Sequence, residues 1–173
     1  VKPYIERTNR LKIGGKFKGY ITSFDAEADI DVGSGGHLHA LCGIHPEDEQ
    51  RVVSATLTAD SLNVNKLLAK PQTIAADFAV KAQARFGEQM SVDASGEISS
   101  LLLNGYEYSN LNFDGAYSPT ASSFNFASND RNLKAQLRAA MNNDADAEPY
   151  YSAVAQIDHA DLHAMNINRR DSV

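Results

Sequence analysis

From Ile74 to Phe86 every second residue is apolar: Ile74, Ala76, Phe78, Val80, Ala82, Ala84 and Phe86, with Asp77, Lys81, Gln83 and Arg85 in the intervening positions. A helix of 3.6 residues per turn would scatter these side chains around its axis, whereas a strand of period two aligns them on one side. The stretch is therefore a strand with one apolar face. The same alternation recurs. Leu11, Ile13, Gly15, Phe17, Gly19 and Ile21 alternate with Lys12, Lys16 and Lys18, and Phe24, Ala26, Ala28, Ile30 and Val32 follow on the opposite parity. Val53, Ala55, Leu57 and Ala59 form another face, as do Leu133, Ala135, Leu137, Ala139 and Met141, and Tyr151, Ala153, Ala155 and Ile157. Phe124 and Phe126 pair by parity. The chain reads as all-β, with little helix.

The turns punctuate this pattern. Asn104-Gly105 between two alternating runs predicts a β-hairpin or a tight strand corner, because both turn positions take positive φ. Past it, Tyr106 and Tyr108 are even while Leu111, Phe113, Gly115 and Tyr117 are odd. One extra residue near Ser109-Asn110, a β-bulge, would restore the facing. A similar parity switch falls at Thr22-Ser23. Gly33 to Gly36 turns the chain, His37 to Ile44 is a short strand, and His45 to Glu49 reads as a polar loop. Leu62 to Leu68 is compatible with one helical turn, Asn142 to Glu148 with a polar loop, and the last residues with a frayed end.

An internal repeat is visible. Val52 to Leu67 overlays Tyr150 to Met165 without a gap, and Gly19-Tyr20 overlays Gly105-Tyr106. The expected organisation is one β-rich segment over 1–173, with repeat 1 at about 10–68 and repeat 2 at about 96–167, joined by the long strand 73–87.

Composition narrows the function. The chain has 173 residues, 43% hydrophobic, enough for one domain or one slab of something larger. Its net charge of -6 argues against a nucleic-acid surface, which needs a basic stripe. No stretch approaches 18 apolar residues, so no membrane helix is expected, and the first residues lack a signal-peptide core. A start at Val1 suggests a processed or excised piece. Cys42 is the one cysteine, sharing parity with Leu38, Ala40 and Ile44, and reads as a buried small hydrophobe.

Few residues invite chemistry. His37 and His39 share a strand face, with Asp31 before and His45 after them, so an adventitious metal site is geometrically possible beside the plainer reading of solvent-facing histidines. His159 and His163 lack the Glu of a zinc-hydrolase helix. Asp25, Glu27, Asp29 and Asp31 read as the outer face of a strand, and Asp144, Asp146 and Glu148 as a loop cluster. Neither has the glycine and distal glutamate of a calcium loop. No nucleophile context or phosphate loop stands out, so no catalysis, metal or cofactor is expected. Tyr20, Tyr106, Tyr108 and Tyr117 either pack the sheet with hydroxyls capping turns, or form a rim where an amphipathic guest meets water.

The order Gly96, Ile98, Asn104 to Tyr106, Tyr108, Asn110, Leu111, Asp114, Gly115 and Tyr117 resembles the repeating unit of the TamB/AsmA-like proteins of Gram-negative envelopes, in the form seen in Bacteroides-like bacteria. A second family-like phrase stands at Ala59, Asp60, Leu62 and Lys66 to Leu68, with a looser copy from Ile157 to Met165. The resemblance implies an antiparallel sheet curved into a U-shaped, taco-like groove. It also implies a full-length protein anchored in the inner membrane and crossing the periplasm, which moves phospholipid or helps assemble outer-membrane proteins. This chain would be an internal, non-catalytic segment of it. The groove candidates are Ile74, Ala76, Phe78, Val80, Ala82, Ala84, Phe86, Leu111, Phe113, Leu133, Ala135, Leu137, Ala153 and Ile157. Many are small, leaving room for acyl chains. The expected partners are a phospholipid or other acyl-chain ligand and, through regions outside this chain, an outer-membrane barrel. The alternative is a closed β-sandwich, secreted or periplasmic, that binds a protein or glycan.

Overall fold

The computed structural model describes residues 11–63, 74–143 and 148–167. Its strands are β1 (Lys12–Tyr20), β2 (Ser23–Asp31), β3 (His37–Glu47), β4 (Gln50–Asn63), β5 (Ala75–Phe86), β6 (Met90–Leu103), β7 (Tyr106–Tyr117), β8 (Ala121–Asn129), β9 (Leu133–Asn142) and β10 (Tyr150–Ala160), with a 3-10 turn at Gly33–Gly35. All ten form a single antiparallel sheet in chain order, and it does not close into a barrel. Strands contact their sequence neighbours, and among the described residues no second layer stacks on either face. The all-β antiparallel expectation holds; the closed sandwich does not form, because there is no second sheet to face the first.

Local sequence explains the turns. Leu103 pairs with Tyr106 across Asn104 (φ 53°) and Gly105 (φ 77°), the two-residue turn whose twist matches that of the strands it joins. The parity switch at Thr22-Ser23 is also a hairpin: Tyr20 pairs with Ser23, so the chain reverses there instead of bulging within one strand. Residues 45–47 belong to β3, leaving only Asp48 and Glu49 between Glu47 and its partner Gln50. Pro46 sits near the end of this strand. Leu62 is in β4; the rest of the expected helical turn, 64–68, and positions 144–147 of the polar loop lie outside the described residues.

Bulges keep the faces consistent. Asn110 has φ 54°, and β7 changes from Tyr106 and Tyr108 to Leu111 and Phe113 there, as the parity predicts. Directly opposite, β6 carries an extra residue, Ser99, relative to β5. The register also slips between Ala59 and Leu62 in β4 and between Ile157 and His159 in β10. The gapless overlay of Val52 to Leu67 on Tyr150 to Met165 carries the first of those slips onto the second. Gly19-Tyr20 and Gly105-Tyr106 have no such equivalence, since Tyr20 ends β1 whereas Tyr106 begins β7.

The bulges all lie toward one end of the strands, and most buried side chains gather there: Val32, Ala59, Leu62, Tyr106, Leu111 and Met165. Asp130, 1% exposed, ties this rim together. It accepts hydrogen bonds from the Tyr106 hydroxyl (2.6 Å), the Asn132 N–H (2.8 Å), the Ser109 N–H (3.0 Å) and the Ser109 hydroxyl (3.1 Å). Beyond β10 the chain makes one helix-like turn, and Asn166 Nδ2 donates to the Asn104 carbonyl (3.2 Å), closing the rim over the β6–β7 hairpin.

Candidate functional site

Opposite residues of an antiparallel pair point to the same side of a sheet, so the register decides which side chains share a face. Of the fourteen groove candidates, thirteen lie in strands on one face. Ile74 stands one residue before β5. The face is continuous over all ten strands. One transverse row runs Phe17, Ala26, Cys42, Ala55, Ala82, Ala94, Gly115, Phe124, Ala139, Ala153. Six consecutive members, Ala26 to Gly115, are small. The row toward the open end holds Phe24, Ile44, Val53, Ala84, Val92 and Tyr117; on its other side lie Ala28, Ala40, Leu57, Val80, Gly96 and Phe113. The result is a shallow furrow crossing six strands, about 24 Å at the usual inter-strand spacing.

Aromatic rings interrupt the furrow where glycines receive them. A Cβ at Gly96 would lie 2.6 Å from the ring of its cross-strand partner Phe113, and one at Gly115 would lie 3.5 Å from that of Phe124. Each ring covers backbone that a side chain would otherwise shield. Next to them, at the end away from the bulges, Val92, Ala94, Tyr117, Phe124, Met141 and Tyr151 line a hollow of about 800 Å³. Phe113 and Ala153 are the two groove candidates that line it. The others were legible only as members of alternating runs, and Val92 and Ala94 sit in a run diluted by Gly96.

Nothing from the described chain covers this face. Phe17 is 61% exposed and Tyr151 68%. Cys42 is exposed as well, contrary to the buried reading, because its apolar neighbours have no opposing layer. The tyrosines divide. Tyr106 is buried and caps Asp130, and desolvation followed by that hydrogen bond raises its hydroxyl pKa above the ordinary value. Tyr117 stands exposed at the hollow, and Tyr20 is exposed at the end of β1.

The opposite face is polar. Asp25, Glu27, Asp29 and Asp31 point out from β2 between the lysines of β1 and the histidines of β3. His45 pairs with Asp25 (2.9 Å) and His39 with Asp29 (2.8 Å). Hydrogen bonding to His39 is the main reason the Asp29 carboxyl lies below its usual range. Asp31 instead accepts the Gly33 N–H at 2.7 Å. His159 lies in β10 and His163 in the turn beyond it. No helix among the described residues is long and apolar enough to cross a membrane. Comparison with models of protein families, with curated proteins and with solved structures finds no match for this chain.

Proposed function

We propose that this chain is a non-catalytic, acyl-chain-binding segment of a TamB/AsmA-like envelope protein, working in the periplasm as part of a longer molecule that carries phospholipid between membranes or supports outer-membrane protein assembly. The observation that carries this reading is the uncovered apolar face with its floor of small side chains. An open face of this extent is costly in water unless something apolar occupies it. Acyl chains laid along the furrow would be desolvated at about 0.8 kcal/mol per buried CH₂. Similar alanine and glycine positions on successive strands keep neighbouring sites close in energy, so a chain can slide. The polar face keeps the slab hydrated. A sandwich-type interaction module has less support, since its second sheet is missing.

Ala82 lies in the furrow and Ala135 on the same face near the bulged rim. Ala82→Asp is expected to leave the β-sheet circular dichroism in place and to abolish binding of a fluorescent fatty acid, and Ala135→Asp to weaken it less. Undiminished binding in Ala82→Asp would remove the furrow as the site.

A further inference from the structure

On the polar face, β2 presents four carboxylates, and the register gives three of them a lysine from β1: Lys12 beside Asp31, Lys16 beside Glu27 and Lys18 beside Asp25. The fourth, Asp29, faces Gly14. A Cβ at Gly14 would meet nothing within 4 Å, so the lysine ladder has an open gap at this position. On the other flank, Asp29 is paired with His39 of β3, whose Nδ1 lies 2.8 Å from Asp29 Oδ1. His37 brings its Nε2 to 3.5 Å from the same oxygen. One ligand atom each from Glu27, Asp29 and His39 falls within 4.8 Å of the others.

Two carboxylates and one imidazole with ligand atoms this close together, and a second imidazole beside them, are the donor types a divalent ion of borderline softness takes in tetrahedral geometry. We propose that Glu27, Asp29 and His39, with His37 turning in as the fourth donor, bind one Zn²⁺-class ion over the β2–β3 pair, where Gly14 leaves Asp29 without a lysine rival on its β1 flank. Ligand bonds of about 2.0–2.2 Å require neighbouring donors to stand somewhat more than 3 Å apart. The His39–Asp29 pair therefore opens by a few tenths of an ångström as the metal replaces the shared proton. Lys16, 3.5 Å from Glu27, is the competing cation; its side chain is 83% exposed, so it yields at little cost. Cross-strand neighbours already bring Glu27, Asp29 and His39 together on one side, and the His37 side chain, 3.5 Å from Asp29, has to turn in to complete the set. The site lies on the face opposite the furrow and stands or falls independently of acyl binding.

Isothermal titration of the 173-residue chain with ZnCl₂ tests it, with the visible absorption of Co²⁺ as a coordination signature. One site per chain is expected, with Mg²⁺ and Ca²⁺ binding far more weakly. His39→Ala and Asp29→Asn should each weaken Zn²⁺ binding by at least about tenfold. Gly14→Lys, which supplies the missing rung of the ladder without touching a ligand, should do the same with an unchanged far-ultraviolet spectrum. His163→Ala should have no effect. Absence of saturable one-site binding, wild-type affinity in Gly14→Lys and His39→Ala, or loss that follows His163 instead, would overturn the assignment.

Discussion

The two ends of the strands handle the same problem differently. At the bulged end, the buried side-chain polar atoms of the described residues have partners: one carboxylate, Asp130, accepts four hydrogen bonds from three residues. At the other end, Phe86, Met90, Tyr117, Tyr150 and Tyr151 remain exposed, with Tyr117 and Tyr151 lining the hollow. A single-layer sheet has no core to hold its strands in place, so order has to come from backbone pairing and a few cross-links of this kind. The difference teaches that stability is concentrated along one rim, which frees the rest of the apolar face to stay uncovered.

Changes at the rim should therefore cost stability, and changes at the hollow should cost binding. The largest effect is expected from Asp130→Ala, about 3 kcal/mol by urea unfolding, since it strands the buried Tyr106 hydroxyl and Ser109 N–H. A loss below about 1 kcal/mol would show that the rim is not the anchor. The pH dependence sharpens the point. Burial opposes the charge of Asp130, but hydrogen bonds from Tyr106, Asn132 and Ser109 outweigh it and hold its pKa below the ordinary value. A carboxyl depressed from about 3.9 in the unfolded chain contributes fully at neutral pH, and that contribution disappears as pH falls through the folded-state value. Asp130→Asn should accordingly flatten the acid limb of the stability curve, as followed by chemical denaturation at stepped pH; an equally steep limb would assign acid sensitivity elsewhere.

Smaller effects follow in order. Tyr106→Phe removes one hydrogen bond to a charged acceptor and should cost about 1.5–2 kcal/mol in the same unfolding measurement. Asn110→Ala places a Cβ-bearing residue without a locally bonding side chain at φ 54° and should cost about 1 kcal/mol, whereas Asn110→Gly should be close to neutral. If both behave alike, the bulge is not held by its left-handed backbone. At the hollow, Tyr151→Ser should change stability by no more than about 0.5 kcal/mol while weakening fatty-acid binding; a substantial fall in melting temperature would mean that the open end carries structure after all.

Much of this was legible in the chain. Alternation in 74–86 marks β5, because no other regular backbone aligns side chains at period two, and Asn104-Gly105 marks the β6–β7 hairpin by its tolerance of positive φ. The change of parity between Tyr108 and Leu111 locates the bulge near Ser109-Asn110, and the structure puts the left-handed residue at Asn110. Other features were legible only in part. At Thr22-Ser23 a parity change looked the same whether the chain bulged or reversed, and Cys42 was misplaced because alternation tells which side a residue faces and nothing about what lies over that side.

By itself, then, the sequence determined strand identity, facing and turn chemistry, all of which depend on residues within a few positions of one another. Only the tertiary structure decided that one sheet remains a single layer, that small side chains from six strands fall into one furrow, and that Asp29 meets Gly14 on one flank and His39 on the other. Those features depend on inter-strand register and on what does or does not stack above the sheet. Register accumulates strand by strand across the sheet, and a covering layer is a property of the whole chain, so no pattern within a few positions encodes either.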